Sequence, residues 1–210
     1  QVLTGGLTSP VKQFTINATA KAFSILSSGL YTDKIKAILR ELSCNAYDAH
    51  VAKGNADQPF EVHLPNSFEP FLRISDFGPG LSEDDVYNLY TTYFQSSKTD
   101  SNDYIGALGL GSKSPFSYTQ SFTVTSRFGG MRKVYSAFLT EEGLPSIVKM
   151  SEEEYDGPCG IDVQMSVKSS DFYTFLSKAS EVYTYFPVTP RFTGNRVEVQ
   201  KPEYTTKGTG

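Results

Sequence analysis

Three short polar side chains share one side of a helix predicted between Asp33, as N-cap, and Gly54, as terminator. At roughly 100° per residue, Glu41, Asn45 and Asp48 fall within an arc of about 60°, beside the apolar stripe of this helix. A carboxylate, an amide and a second carboxylate differ from the Lys and Glu mixture that is typical of a solvated face. A solvated polar face nevertheless stays open as the alternative from this helix alone.

The stretch SDFGPG combines a carboxylate with alternating glycines. Asp76 ends a predicted strand, and Gly78 and Gly80 follow it. Glycines at alternate positions let the backbone turn sharply and let a flat ligand lie close to it. A neighbouring carboxylate can accept a hydrogen bond from an exocyclic amine such as that of adenine. The alternative is a simple turn from strand to helix.

The stretch IGALGLGSKS is a glycine-rich loop with Gly106, Gly109 and Gly111, followed by Ser112 and Lys113. Closely spaced glycines that lead into a helix expose backbone N–H groups, which suit phosphate oxygens at the positive end of the helix dipole. The loop is not a P-loop, because Ser112 stands where the lysine of that motif belongs. It is not a dinucleotide-binding loop either, because Ser114 occupies the third glycine position.

Composition limits the possible functions. The 210 residues suit one large domain or two small ones, and the net charge of −4 makes nucleic-acid binding by the whole domain improbable, although a local basic patch stays open. Cys44 and Cys159 form no disulfide framework or metal motif, which fits a reducing cytoplasm. With only His50 and His63, zinc or triad chemistry based on histidine is improbable. No window reaches the length of a membrane-spanning helix.

The hydrophobic pattern predicts an α/β (α+β) two-layer sandwich, a mixed sheet with helices on one face. Helices are predicted early and late, with a strand-rich middle. Strands are predicted around 13–16, 60–64 and 71–76, in a hairpin of 121–127 and 131–139, and around 146–150 and 160–167. Helices are predicted around 20–28, 33–54, 82–94 and 170–186.

Taken in order, ExxxNxxDA, DxGxG and GxxGxG resemble the signature of the GHKL (Bergerat-fold) ATPases, which include type II topoisomerase ATPase domains, Hsp90 chaperones and MutL proteins. The resemblance implies a Bergerat fold that binds ATP with Mg²⁺. It also implies that Glu41 is the general base for water attack, that Asn45 is the protein ligand to Mg²⁺, and that Asp48 braces the pocket.

The same resemblance assigns the base and phosphate contacts. Asp76 would read the adenine amine, with Gly78 and Gly80 beneath the base. Gly106 belongs to the nucleotide loop, and the phosphate cradle would be formed by Gly109, Leu110, Gly111, Ser112 and Lys113.

Two positions qualify this assignment. Lys98 lies in QSSKTDSND, where these ATPases have their lid, and could either reach a phosphate or be an exposed lysine. The family usually has a Gly-Thr pair on a late strand, with the Thr helping to hold adenine. Here the pair is Gly160-Ile161, so that hydroxyl is missing and adenine selectivity depends more heavily on Asp76.

Residues 20 to 190, and above all GLGSKSPFSYT, resemble the N-terminal part of the phage rIIA-like proteins, which are associated with lysis timing and with resistance to prophage exclusion. This resemblance implies an rIIB-like partner and membrane association through other domains. The wider GHKL resemblance implies a nucleotide-dependent homodimer, and DNA association through other domains would accompany a topoisomerase function. The location it implies is the host cytoplasm, with the full-length protein peripheral to the inner membrane. The alternative is that the chain keeps the fold but its pocket no longer binds nucleotide.

The chain begins with Gln and ends in a polar stretch, so we expect a domain taken from a longer protein. We expect an N-terminal segment over 1–19, which either swaps between subunits or frays, an ATP-binding domain over 20–200, and a flexible tail over 201–210. In topoisomerases and MutL proteins a following domain contributes a lysine to the γ-phosphate, so hydrolysis by this chain alone should be slow. The rival functions are a type II topoisomerase ATPase subunit and a non-hydrolysing, nucleotide-sensing interaction module.

Overall fold

The computed structural model describes residues 32–91 and 111–201. The helices over these residues are α1 (Lys34–Ala52), α2 (Glu83–Thr91) and α3 (Phe172–Thr184), and two 3-10 turns cover Gly111–Ser117 and Ser169–Asp171. The strands are β1 (Glu61–His63), β2 (Phe71–Ser75), β3 (Ser121–Phe128), β4 (Met131–Leu139), β5 (Pro145–Glu154), β6 (Gly160–Ser166) and β7 (Arg191–Thr193). The predicted segments around 13–16 and 20–28 lie outside the described residues.

Helix α1 begins and ends as its sequence predicts. The Asp33 side chain accepts a hydrogen bond from the backbone N–H of Lys36 at 3.1 Å, which satisfies one of the free donors of the first turn. Past the last turn, Gly54 has a φ of +80°, a left-handed conformation that favours glycine. The predicted helix is therefore confirmed, with its last helical residue at Ala52.

The seven strands form one sheet in the order β5-β4-β3-β6-β2-β1-β7. All neighbouring strands are antiparallel except β1 and β7, which are parallel. Strand β6 lies between β3 and β2, so a late segment pairs with two earlier ones and brings Gly160 beside the end of β2. The short strand β7 was not predicted from the sequence.

A row of buried side chains crosses five strands in register and faces the helices. Its members are Val62, Ile74, Val163, Val124 and Tyr135. The alternation of buried and exposed residues along β3 shows that one face of the sheet is covered, because side chains alternate between faces. This arrangement gives the predicted two-layer α/β architecture.

Helix α1 packs against both α3 and the sheet. The hydroxyls of Ser43 on α1 and Tyr183 on α3 lie 2.8 Å apart in the interior. Nearby, the ring of Phe186 makes edge contacts with the rings of Phe60 and Tyr183, which are tilted against each other. This packing fixes α1 along its length, so that side chains on its margin have defined positions. No helix of the described part of the chain is long and apolar enough to cross a membrane.

Candidate functional site

The polar margin of α1 is partly buried. Glu41 has 18% of its side chain exposed, and its Oε1 accepts a hydrogen bond from the neighbouring Arg40 at 2.8 Å. Asn45 is half-buried one turn later, and Asp48 is 1% exposed. The three side chains therefore do not form the solvated polar face that the sequence left open.

The end of the glycine-rich loop lies directly on this margin. A Cβ placed on Gly111 would lie 2.8 Å from Oε2 of Glu41 and 3.7 Å from Nδ2 of Asn45. The backbone therefore approaches the Glu41 carboxylate more closely than a larger residue would allow without a shift, while Asn45 lies at ordinary contact distance. The structure thus brings Gly111, Glu41 and Asn45 together, although they come from separate motifs.

The two residues after Gly111 are buried in the 3-10 turn. Ser112 is 5% exposed, and its Oγ has no hydrogen-bond partner among the residues that the structure describes. Lys113 is 3% exposed and donates from Nζ to the backbone oxygen of Leu89 on α2 at 2.8 Å. Burial lowers the pKa of Lys113 to about 8. In this arrangement the Lys113 ammonium contacts α2, and a phosphate contact by its side chain stays a prediction.

Asp76 is 6% exposed at the end of β2. Its Oδ1 accepts hydrogen bonds from the backbone N–H groups of Gly78 at 2.8 Å and Ile161 at 3.2 Å. Burial raises the pKa of Asp76 to about 6, against the opposing effects of these two hydrogen bonds and of the nearby Arg127. Among the described residues, only these two N–H groups form hydrogen bonds with the Asp76 carboxyl, both on Oδ1, and a ligand contact through Oδ2 stays a prediction.

The glycines near Asp76 have packing reasons of their own. A Cβ on Gly78 would lie 2.6 Å from Cβ of Ala49 on α1. Gly80 has a φ of +73°, and a Cβ there would lie 2.2 Å from the backbone oxygen of Arg127. The fold therefore requires both glycines whether or not a base lies over them, and their contact with a base stays a prediction.

Gly160 and Ile161 lie against Asp76, so the missing threonine hydroxyl falls at the predicted adenine end. The backbone N–H of Asp76 donates to the oxygen of Ile161 at 2.9 Å. Gly160 has a φ of +150°, and a Cβ there would lie 2.0 Å from the backbone oxygen of Asp76. The chain keeps the glycine that this approach needs, while Ile161 supplies only backbone groups to Asp76.

Three residues that the sequence did not single out hold the turn after β2. His50 accepts the backbone N–H of Phe77 on Nε2 at 2.8 Å, and Lys53 donates to the backbone oxygen of Phe77 at 2.7 Å. Arg127 donates to the backbone oxygen of Asp76 at 2.8 Å and forms an ion pair with Asp162 at 3.0 Å. One sequence signal pointed to His50: it continues the core-facing positions of α1, where a histidine must be hydrogen-bonded.

Four predicted site residues, Lys98, Gly106, Gly109 and Leu110, lie outside the described residues. Their contacts with a lid or a phosphate stay predictions. A separate open groove of about 890 Å³ runs along α3, lined by residues such as Tyr173, Ser180 and Glu198. None of the predicted site residues lines this groove, and it holds no catalytic group that the site needs.

Comparisons with known proteins show similarity in sequence and in fold. No protein-family model matches the chain. The sequence is 28% identical over 174 residues to the chaperone protein HtpG of Buchnera aphidicola subsp. Cinara cedri (strain Cc), which covers 70% of this chain and 27% of that protein. It is 29% identical over 181 residues to HtpG of Rickettsia typhi (strain ATCC VR-144 / Wilmington). This match covers 74% of this chain and 28% of that protein. The chain thus spans little more than a quarter of the length of these chaperones.

The fold is similar to the ATPase region of Saccharomyces cerevisiae topoisomerase II. The TM-score is 0.57 at 14% identity, covering 76% of this chain and 48% of that one. The same region bound to ICRF-187 (dexrazoxane) gives a TM-score of 0.59 at 13% identity, covering 79% of this chain and 49% of that one. Together with the HtpG similarity, these matches confirm the predicted fold class: the chain has the GHKL ATPase fold.

Proposed function

We propose that the chain is an ATP-binding domain that hydrolyses ATP slowly and belongs to an rIIA-like phage protein. The main observation behind the binding proposal is the position of α1, which contacts both the predicted phosphate end of the site at Gly111 and the predicted adenine end at Asp76. Its margin presents Glu41 and Asn45 to Gly111, and its last turns hold the turn that contains Asp76. The similarity to HtpG and to a topoisomerase ATPase region supports the ATP-binding part of this proposal.

The residues present fit a magnesium nucleotide. Asn45 offers an amide oxygen, a ligand type that Mg²⁺ accepts, on the same margin as the Glu41 carboxylate. Mg²⁺, when bound with ATP, would supply charge neutralisation for the phosphate oxygens. Glu41 would orient and deprotonate the attacking water, and its approach to Gly111 would place it beside the phosphate loop.

The base would be read at the other end of the site. Oδ1 of Asp76 is taken by two backbone N–H groups, which fixes the carboxyl plane and leaves Oδ2 to accept the exocyclic amine of adenine. Because Ile161 has no hydroxyl, this carboxylate is the main group for base selectivity among the described residues. We therefore expect a modest affinity that depends strongly on Asp76.

The biological role rests on the resemblance of residues 20 to 190 to rIIA-like proteins. In this proposal the domain works as a nucleotide-dependent clamp that pairs with a second copy in the host cytoplasm. An rIIB-like partner and an association with the inner membrane or with DNA would involve other parts of the protein.

Two other functions each have an observation in their favour. The backbone similarity to topoisomerase II favours a topoisomerase ATPase subunit, which would place a basic DNA-facing surface in a following domain. The buried Lys113, with its ammonium on Leu89, favours a module that senses nucleotide without cleaving it.

Substitution of Glu41 distinguishes an ATPase from a sensing module. For Glu41→Ala we expect ATP affinity within about threefold of the unchanged chain, and a hydrolysis rate at least about a hundredfold lower, because the general base is lost. Single-turnover hydrolysis, with the chain in excess over radiolabelled ATP, measures this rate even when turnover is slow. Equal rates for the two chains would reject Glu41 as the base, and an undetectable rate in both would favour the sensing module.

A further inference from the structure

We propose that His50 is a positioning residue for base recognition, holding the Asp76 turn through one ring nitrogen in one fixed tautomer. This inference rests on the proposed ATP-binding function and adds to it a residue outside the family signature. His50 is not predicted to contact the nucleotide. It acts through the backbone of the residue that follows Asp76.

The hydrogen bonds of His50 define its proton. Nδ1 lies 2.9 Å from the backbone oxygen of Gln58, which can only accept, so Nδ1 carries the hydrogen. Nε2 lies 2.8 Å from the backbone nitrogen of Phe77, whose N–H can only donate, so Nε2 is unprotonated. The ring is therefore the neutral imidazole with its proton on Nδ1, and it joins the Gln58 segment to the Asp76 turn.

The surroundings of His50 enclose its ring. The side chain is fully buried, with the rings of Phe60 and Phe77 at centroid distances of 6.5 and 6.0 Å. No water is needed to complete its hydrogen bonds, because both nitrogens have protein partners. Lys53, the charged group near the ring, donates to the oxygen of Phe77, so α1 holds both backbone polar groups of this residue.

The hydrogen bond from Phe77 to His50 helps to orient the carboxyl of Asp76. The backbone N–H and oxygen of Asp76 are hydrogen-bonded to Ile161 and Arg127. The backbone N–H and oxygen of the next residue, Phe77, are hydrogen-bonded to His50 and Lys53. With all four groups held, the direction of the Asp76 side chain is set by the sheet and by α1. If the Phe77 N–H loses its acceptor, the turn can rotate and Oδ2 no longer meets the exocyclic amine of the base.

The substitutions His50→Gln and His50→Asn distinguish the roles of the two ring nitrogens. Glutamine places its amide oxygen near the position of Nε2 and can still accept the Phe77 N–H, whereas asparagine places its amide near Nδ1 and cannot reach it. Both remove half of the hydrogen bonding of a buried side chain, so their costs in stability are similar. Phe60→Leu serves as the control for lost stability, because it removes a ring that packs on His50 without touching the Phe77 hydrogen bond.

The measurement is the ratio of the affinities for ATP and for purine riboside triphosphate, which lacks the 6-amino group, titrated with Mg²⁺ into each chain while it is folded. We expect His50→Asn to lower this ratio about tenfold, because the amine is no longer read, and His50→Gln and Phe60→Leu to keep it within about threefold. An unchanged ratio in His50→Asn, or equal losses in the Asn and Gln variants, would overturn the inference.

A second measurement needs no nucleotide. The ¹⁵N shifts of the His50 ring in the unchanged chain at neutral pH should show a protonated Nδ1 and a bare Nε2. The Phe77 amide should exchange its hydrogen faster in His50→Asn than in His50→Gln. The opposite tautomer would refute the hydrogen-bond arrangement itself. Failure of the unchanged chain to bind ATP while the tautomer is as expected would instead reject the proposed function, and with it the role in base reading.

Discussion

At the scale of single residues, Asp76 is a carboxyl group that the fold keeps almost free of water. Its two backbone hydrogen bonds stabilise the ionised form, but burial outweighs them, since the pKa rises to about 6 from an ordinary value of 3.8. A ligand that donates a hydrogen bond to Oδ2 would offset this cost. In the proposed function, the base would supply this hydrogen bond, because both described hydrogen bonds of the carboxyl are to Oδ1.

The raised pKa of Asp76 predicts a pH dependence of stability. Between about pH 4 and pH 6 the native carboxyl holds its proton while the unfolded one has lost it, so the native state binds more protons. The contribution of Asp76 to stability therefore falls as the pH rises through this window and is constant above it. The contribution is on the order of 2 to 3 kcal/mol.

Asp76→Asn isolates this effect, because asparagine keeps an acceptor for Gly78 and Ile161 but does not titrate. Unfolding by denaturant from pH 4 to pH 7 should show the variant gaining stability relative to the unchanged chain as the pH rises to 6. The other titrating groups, including His50, are common to both chains and cancel in the difference. A difference that stays constant with pH would mean that Asp76 titrates normally.

Gly111 provides a second prediction at this scale. In Gly111→Ala the new Cβ would meet the far end of the Glu41 side chain, which can move away, so the free energy of unfolding should change by less than about 1 kcal/mol. The displaced carboxylate should nevertheless lower the single-turnover hydrolysis rate at least about tenfold.

Gly129→Ala is the matched control for Gly111→Ala. Gly129 has a φ of +60° in the β3–β4 turn, and a Cβ there meets nothing within 4 Å. The control should therefore lose stability through backbone strain and keep its hydrolysis rate. A normal rate in Gly111→Ala would show that the Glu41 position is not critical.

At the scale of elements, the contact between α1 and the turn after β2 is set by two small residues, Ala49 and Gly78. In Gly78→Ala the new Cβ would lie 2.6 Å from Cβ of Ala49 and 3.1 Å from its backbone carbon, so α1 and the turn must separate. We expect a loss of about 3 kcal/mol in the free energy of unfolding.

The double variant Gly78→Ala with Ala49→Gly tests this contact. Ala49→Gly alone should cost about 1 kcal/mol through helix propensity, yet it removes the atom that the new Cβ meets. The double variant should therefore be more stable than the sum of the single losses predicts, by at least about 1 kcal/mol in thermal or denaturant unfolding. Strict additivity would show that the helix and the turn tolerate separation.

Local patterns predicted the elements better than their pairing. The apolar repeat and Asp33 predicted α1, and the two glycines at 129 and 130 predicted the β3–β4 hairpin. The insertion of β6 between β3 and β2, and the parallel pairing of β7 with β1, depend on contacts between distant segments that leave no periodic signal. For the same reason the sequence revealed Asp76 but not Arg127, whose partners are Asp76, directly after β2, and Asp162 on β6.

At the scale of the whole molecule, the motifs predicted a nucleotide pocket in which the margin of α1, the Asp76 turn and the glycine-rich loop lie together. The structure shows two of these contacts. Gly111 lies on the Glu41 and Asn45 margin, and Asp76 lies under the last turns of the same helix. What the motifs left open is how each side chain is held. The placement of Lys113 on Leu89 is such a case, since a glycine-loop motif does not encode which way the lysine turns.

The central claim, that this pocket binds a magnesium nucleotide through Asp76, is tested most directly by calorimetric titration. The unchanged chain and Asp76→Asn would each be titrated with ADP and with a non-hydrolysable ATP analogue, with and without Mg²⁺. We predict binding of the analogue that is stronger with Mg²⁺ and that Asp76→Asn abolishes or weakens at least about tenfold. Absence of heat at millimolar nucleotide in the unchanged, folded chain, or equal binding by Asp76→Asn, would contradict it.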